Sequence, residues 1–204
     1  MASIGFSGDT SGLISVTAPL VAGSGVLTLP TGTDTLIGKA TTDTLTNKSI
    51  AATQLTGTIA AAALPAGSVL QVVQGSTSTS VSNSTTTYTD TGLTATITPK
   101  FSTSKILIIV THNGMVKSVG NVGNGINIKL LRGATDLGIF ITAALYTDSL
   151  LQLRGSASLS TYDSPATTSA TTYKTQFANI SNAASVLVNE GPGISTITLM
   201  EIAV

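Results

Sequence analysis

Ile106-Leu107-Ile108-Ile109-Val110, flanked by Ser104-Lys105 and Thr111-His112, decides the fold of this chain. The run has the length of one strand and is apolar on both alternating faces. A strand of that kind needs cover on both sides. One face is expected to meet a second sheet of the same chain, and the other a neighbouring copy. The terminal run Ile197-Thr198-Leu199-Met200-Glu201-Ile202-Ala203-Val204 repeats the pattern. Together they nominate Ile106, Ile108, Val110, Ile197, Leu199 and Ile202 as the contact residues between copies.

Working outward, Ile126, Ile128 and Leu130 alternate with Asn127 and Lys129. That is a half-buried strand with one wet face. Arg132-Gly133-Ala134-Thr135-Asp136 reads as a hairpin loop into Leu137-Gly138-Ile139-Phe140-Ile141. Strand-length runs fall near residues 68–74, 84–90, 93–98, 104–112, 125–132, 137–143, 149–160, 170–180, 185–189 and 194–203, separated by turn residues. That spacing, with almost no helical period, predicts an all-β sandwich or jelly roll over 67–204.

Residues 1–66 have a different texture. Leu13-Ile14-Ser15-Val16 and Val26-Leu27-Thr28-Leu29 read as short strands, closed by Pro19 and Pro30. Leu36-Ile37-Gly38-Lys39-Ala40 is a third candidate. None is long enough for a core, so this part is expected to be an extended arm. Fully stretched it could reach on the order of 200 Å. Ala60 to Ala63 favours helix by propensity but is bracketed by Gly57 and Pro65.

Composition narrows the function. Charged residues are 9% of the chain and the net charge is zero, so nothing favours nucleic acid or an anionic membrane. Serine and threonine number roughly 60, an unusual share. A surface so poor in charge suits a chain that buries part of it against other copies. There is no cysteine and one histidine, His112, which argues against a zinc site. No cofactor is expected. No Gly-x-Ser-x-Gly elbow occurs. The acids Asp9, Asp34, Asp43, Asp90, Asp136, Asp148 and Asp163 mostly stand in turn-like sequence, where Asp caps its own backbone. The chain is therefore read as a non-enzyme, although paired carboxylates could in principle cleave glycans. Glu201, inside the terminal strand, is expected either to face solvent or to pair with a cation across a subunit contact. His112 is read as a satisfied side chain at a strand end.

Two loops are candidate receptor contacts. Gly120-Asn121-Val122-Gly123-Asn124-Gly125 precedes a strand, not a helix, so it is no phosphate cradle; it nominates Asn121 and Asn124. The stretch from Tyr162-Asp163-Ser164-Pro165 to Tyr173, with Tyr146, offers aromatic and hydroxyl groups suited to a sugar surface. No signal peptide is visible at Met1–Phe6, and the apolar runs 106–110 and 59–64 are too short to span a bilayer.

Several stretches resemble a known group. Val26-Leu27-Thr28-Leu29-Pro30-Thr31-Gly32-Thr33-Asp34-Thr35-Leu36-Ile37-Gly38-Lys39-Ala40, continuing to Asn47-Lys48-Ser49-Ile50, resembles a segment of phage tail-fibre and minor structural proteins. Leu55-Thr56-Gly57-Thr58-Ile59, with Ala60 to Pro65, resembles the collar that follows it there. Pro65-Ala66-Gly67-Ser68-Val69-Leu70-Gln71-Val72-Val73-Gln74 looks like the opening of C-terminal domains in phage fibre-like proteins. Ser104 to Ile108, Leu131-Arg132-Gly133, Tyr173-Lys174-Thr175-Gln176-Phe177 and Ile197 to Ile202 are similar to trimeric tumour-necrosis-factor-like jelly rolls. The resemblance implies a homotrimer made in a host cytoplasm and carried on the virion. Its arm would attach to other virion proteins and its head would meet a host-surface glycan or protein. A tail fibre, a capsid decoration protein, a glycan-cleaving spike and a bacterial adhesin of the same fold all remain open. The first is favoured by the 26–50 segment.

Overall fold

A computed structural model describes residues 3–7, 13–17, 49, 57–120, 122–181 and 184–204. The chain divides into two compact units, Met1–Thr56 and Gly57–Val204. In the first, β1 (Ser3–Ser7) pairs antiparallel with β2 (Leu13–Thr17). The expected strands at 26–29 and 36–40 lie outside the described residues.

The second unit is a β-sandwich of two antiparallel sheets, and no α-helix occurs among the described residues. Its strands are β3 (Val69–Thr77), β4 (Val81–Asn83), β5 (Thr89–Ile97), β6 (Lys105–Lys117), β7 (Asn124–Arg132), β8 (Thr135–Thr147), β9 (Leu153–Asp163), β10 (Thr171–Asn179), β11 (Val186–Val188) and β12 (Ser195–Ile202). One sheet has the order β5-β10-β7-β8. The other is built on β6. β9 pairs along one edge of β6, while β12 and then β11 share the opposite edge. β3 lies outside β12, and β4 outside β11.

The expected runs 84–90 and 93–98 resolve differently. β5 is one strand, and the polar stretch after β4 is a turn organised by Asn83, whose side chain donates to the Thr87 carbonyl at 2.8 Å and accepts from the Thr85 N–H at 2.8 Å. The Ala-rich segment forms a single 3-10 turn, Ala61–Ala63. The hairpin read at 132–136 turns on Gly133 and Ala134, with Gly133 at φ 58, a left-handed conformation that suits glycine.

The chain enters and leaves the sandwich together. Gly67 N–H donates to the Ala203 carbonyl at 2.8 Å, and Ala203 N–H to that of Ser68 at 2.9 Å. We call this the entry end; loops 98–104 and 164–170 share it. Residues 118–120, 122–123, 148–152, 180–181 and 184–185 lie at the far end.

Between the sheets the core is split. Leu93, Ile97, Ile106, Ile108, Val110, Leu130, Tyr173, Ile197 and Leu199 form an apolar cluster toward the entry end. Met115, Ile126, Ile128, Phe177, Val186 and Val188 form another toward the far end. A buried polar belt separates them. The Thr91 and Thr175 hydroxyls lie 2.6 Å apart, and His112 Nε2 is 3.0 Å from the latter. Asn189 donates to the Thr79 and Thr91 carbonyls and accepts from Ser195 Oγ at 2.6 Å. The belt coincides with irregularities in pairing, between Lys174 and Gln176 on β10 and between His112 and Met115 on β6. Bulges leave backbone groups without ladder partners, and buried side chains must serve them. Thr91 Oγ1 donates to the Thr175 carbonyl, and Asn113 N–H to Ser195 Oγ.

Ile106, Ile108, Val110, Ile197 and Leu199 are fully buried within this one chain. They are core, not contacts between copies, which corrects the sequence expectation. Because both parities of these strands are apolar, the pattern alone does not say which one meets the second sheet. Of the six, only Ile202 stands on the outward face.

Candidate interaction surface

The outward faces of the two sheets differ in chemistry. On the β5-β10-β7-β8 sheet, Lys174 pairs with Asp90 and Lys129 with Asp136, each at 3.0 Å. Lys129 Nζ also sits 4.5 Å above the Tyr88 ring. This face is dressed for water.

The outward face of the other sheet carries no charge across three successive rows. The cross-strand register places Val72, Met200, Leu107 and Tyr162 in one row. Gln74, Thr198, Ile109 and Ser160 form the next, then Ser76, Thr196, Thr111 and Ser158. Val72 is 56% exposed and Tyr162 62%. Toward the entry end these rows border an open hollow of about 460 Å³, lined by Lys105, Tyr162, Ser164, Ile202 and Val204. An uncharged face with one apolar row, exposed at Val72 and Tyr162, is a candidate contact surface.

The nominated receptor residues do not form one site. Asn121 lies outside the described residues. Asn124 is buried and donates to the Ala184 carbonyl at 3.1 Å. Tyr173 is a fully buried core residue whose hydroxyl donates to Asp163 Oδ2 at 2.7 Å. Burial and that acceptor push its ionisation up. Asp163 ends β9 in a two-pronged pair with Arg132, at 2.9 and 2.7 Å. Asn124, Asp163 and Tyr173 are thus corrected from recognition to structure. Their inward side chains complete hydrogen bonds that exposed loop residues leave to water. Tyr162 is exposed, but on a strand and not a loop. Tyr146 is exposed at the far end and donates to Asp148 Oδ1 at 2.5 Å.

The described carboxylates are all engaged. Beyond those above, Glu190 pairs with Arg154, and Asp136 also accepts the Gly138 N–H at 2.8 Å. Glu201 neither faces solvent nor meets a cation. It is fully buried and accepts from Gln71 Nε2 and from the Lys100 and Phe101 N–H groups. Burial alone would raise its pKa, but the Gln71 amide and those N–H donors outweigh it and hold the carboxyl low. The carboxylate thus pins loop 98–104 onto the terminal strand. Glu201→Gln should cost about 2 kcal/mol, because its new amide would face the Gln71 donor, which also serves the Thr98 carbonyl at 2.7 Å. A chemical denaturation midpoint measures this loss.

His112 is likewise no strand-end residue. It stands mid-strand in the polar belt, fully buried, and its Nδ1 has no hydrogen-bond partner. Burial pushes the ring down to about 4, with Asn189 opposing only weakly.

At the far end, Lys117 is fully buried and its ammonium donates to the Ser149 and Leu151 carbonyls at 3.0 and 3.1 Å. Lys117→Met keeps the aliphatic stem but removes these ties. We expect faster amide hydrogen exchange confined to 148–152 and neighbouring strand ends.

Among the described residues no group of three or more His, Cys, Asp and Glu side chains could hold a metal ion, and no helix is long and apolar enough to cross a membrane. Comparison with protein-family models finds no match, and no curated protein is significantly similar.

Proposed function

We propose that this chain is a structural subunit of a bacteriophage particle, a homotrimer acting as a short tail fibre or fibre-like attachment protein. The arm anchors it to the virion and the sandwich head is presented outward. The observation that carries this reading is the contrast between the two outward sheet faces. One holds ion pairs and the other is uncharged and, toward the entry end, apolar. Copies of the chain packed through the uncharged face would shield Val72, Met200, Leu107, Ile109 and Tyr162 together. That assigns contact between copies to the opposite strand parity from the sequence expectation.

The head's topology supports a jelly roll. Taking β3, β5, β6, β7, β8, β9, β10 and β12 in chain order, the two sheets read first-eighth-third-sixth and second-seventh-fourth-fifth. Those are the interleaved orders of a rolled-up antiparallel ribbon. The phage assignment itself rests on the resemblance of residues 26–74. Light scattering of the purified chain tests the assembly. A mass near three times 20.4 kDa is expected, and a mass of one chain would remove the basis for the reading. Labelling the chain on intact particles tests its place there.

A further inference from the structure

The described cations are used unevenly. Lys129, Arg132, Arg154 and Lys174 are each paired with an acid. Lys117 is buried on two loop carbonyls. Among the described residues this leaves Lys100 and Lys105 without an ion pair, and both stand at the entry end.

Lys105 opens onto the hollow of about 460 Å³, whose lining it shares with Tyr162, Ser164 and Ile202. That volume is within the range of small-ligand sites. The Lys105 ammonium and the Tyr162 and Ser164 hydroxyls take no partner among the described residues. No Asp or Glu side chain is in the lining. Asp163 is turned to Arg132 and Tyr173 instead, and Glu201 is buried against loop 98–104. The hollow thus offers one cation, two hydroxyls and an exposed aromatic ring beside aliphatic carbon from Ala66, Ile202 and Ala203.

Its walls are held in place. Asp163 stands between Tyr162 and Ser164 in the chain, and its bonds from Arg132 and Tyr173 fix that strand end. Gly67 N–H on the Ala203 carbonyl and Ala203 N–H on that of Ser68 fix the part lined by Ala66 and Ala203. Side chains carried on backbone this constrained lose less freedom on binding.

These groups select a ligand. An ammonium without a counter-ion calls for an anion. An exposed tyrosine ring takes the C–H face of a sugar, and unpartnered hydroxyls exchange hydrogen bonds with sugar hydroxyls. One ammonium on an otherwise uncharged face is a poor match for a polyanion or an anionic bilayer, which reward clusters of Lys and Arg. We infer that the hollow is a binding site for an acidic sugar, with its carboxylate on Lys105, its ring against Tyr162 and a hydroxyl on Ser164. The inference deepens the attachment reading above and rests on it for where such a sugar is met. The hollow lies on the entry-end side of the Tyr162 row, so the ring is open to a sugar there while its other side packs against a neighbouring copy.

The test is a glycan array of carboxylated sugars and their neutral counterparts, probed with the purified full chain and followed by calorimetry on the best binder. Inorganic phosphate and phosphatidylglycerol vesicles serve as parallel probes. Carboxylated sugars should be retained over neutral ones. Affinity should fall about tenfold for Lys105→Met, with loss of salt dependence, and about tenfold for Tyr162→Ala. It should fall severalfold for Ser164→Ala and stay unchanged for Lys100→Met, which lies outside the lining. Lys105 and Ser164 are exposed, so melting temperature and assembled mass should not move in their variants. Equal retention of neutral sugars, no retention of any acidic sugar, or indifference to Lys105→Met would each overturn the inference. Phosphate or vesicles binding as well through Lys105 would overturn it too, by reducing the hollow to a general anion site. So would a sugar that splits the assembly, by placing the hollow inside the contact between copies. A one-chain mass for the unaltered protein would instead strike the attachment reading.

Discussion

Replacing Leu107 by glutamate is expected to yield a folded single chain of 20.4 kDa, where the proposed trimer has about three times that mass. Leu107 sits in the row between Met200 and Tyr162 on the uncharged outward face. In the isolated chain its new carboxylate would point into water and cost little. In the proposed assembly it would be buried without a cation, repeated in every copy, at a penalty on the order of several kcal/mol per ion. The adjacent substitution separates this from a general loss of stability. Ile108 is fully buried between the sheets, so Ile108→Glu should abolish folding instead of releasing intact single chains. Sedimentation velocity with far-ultraviolet circular dichroism reads both outcomes. A Leu107→Glu protein that keeps the mass of the unaltered one would place contact between copies elsewhere.

The second large effect is a loss of stability in acid through His112. The folded chain holds the ring neutral to about pH 4, whereas an unfolded chain takes up the proton near 6.5. Below 6.5 the unfolded state therefore binds more protons. The stability present above pH 6.5 declines as pH falls toward 4, by about 3 kcal/mol in all. Glu201 acts in the same direction but lower. Its folded pKa lies under the ordinary value of 4.5, so its contribution is present above 4.5 and is lost as pH falls further. Denaturation midpoints should thus fall in two stages, the first as pH drops from 6.5 toward 4 and the second below 4.5. His112→Gln should be less stable at pH 8 yet flat between 6.5 and 4.5, because no ring remains to titrate there. An unaltered slope in that variant would sink the assignment. The geometry explains why the effect is large. The ring bridges the sheets through Thr175, and among the described residues no acid stands in the belt to stabilise a positive charge.

Much of the head was readable because turns and strands alternate at short range. The run 106–110, the alternation at 126–130 and the hairpin at 132–136 all fall where strands and their turn occur. Parity was the harder matter. Ile106, Ile108 and Val110 are apolar, but so are Leu107 and Ile109, so the pattern could not say which set faces inward. Yet the sequence held a marker. Continuing the first set reaches His112, and continuing Ile197 and Leu199 reaches Glu201. A lone histidine and a lone carboxylate on the inward parity mark buried polar contacts, but His112 was read as a satisfied strand-end side chain and Glu201 as facing solvent or pairing with a cation across a subunit contact. The recognition residues failed for a related reason. Tyr173 lies within the strand expected at 170–180 but was also counted as the end of a candidate loop, and Asp163 meets Arg132 only through folding.

The shared doorway at Gly67 and Ala203 bears on how the head would carry tension. A pull along β3 from its first residue does not peel pairs away one at a time. It loads the whole ladder from Ile202–Val69 to Ser195–Thr77 simultaneously, in shear, against a strand that is itself clamped by β6. A tether attached there would yield late and abruptly, which is a useful trait in a part that must hold while something drags on it.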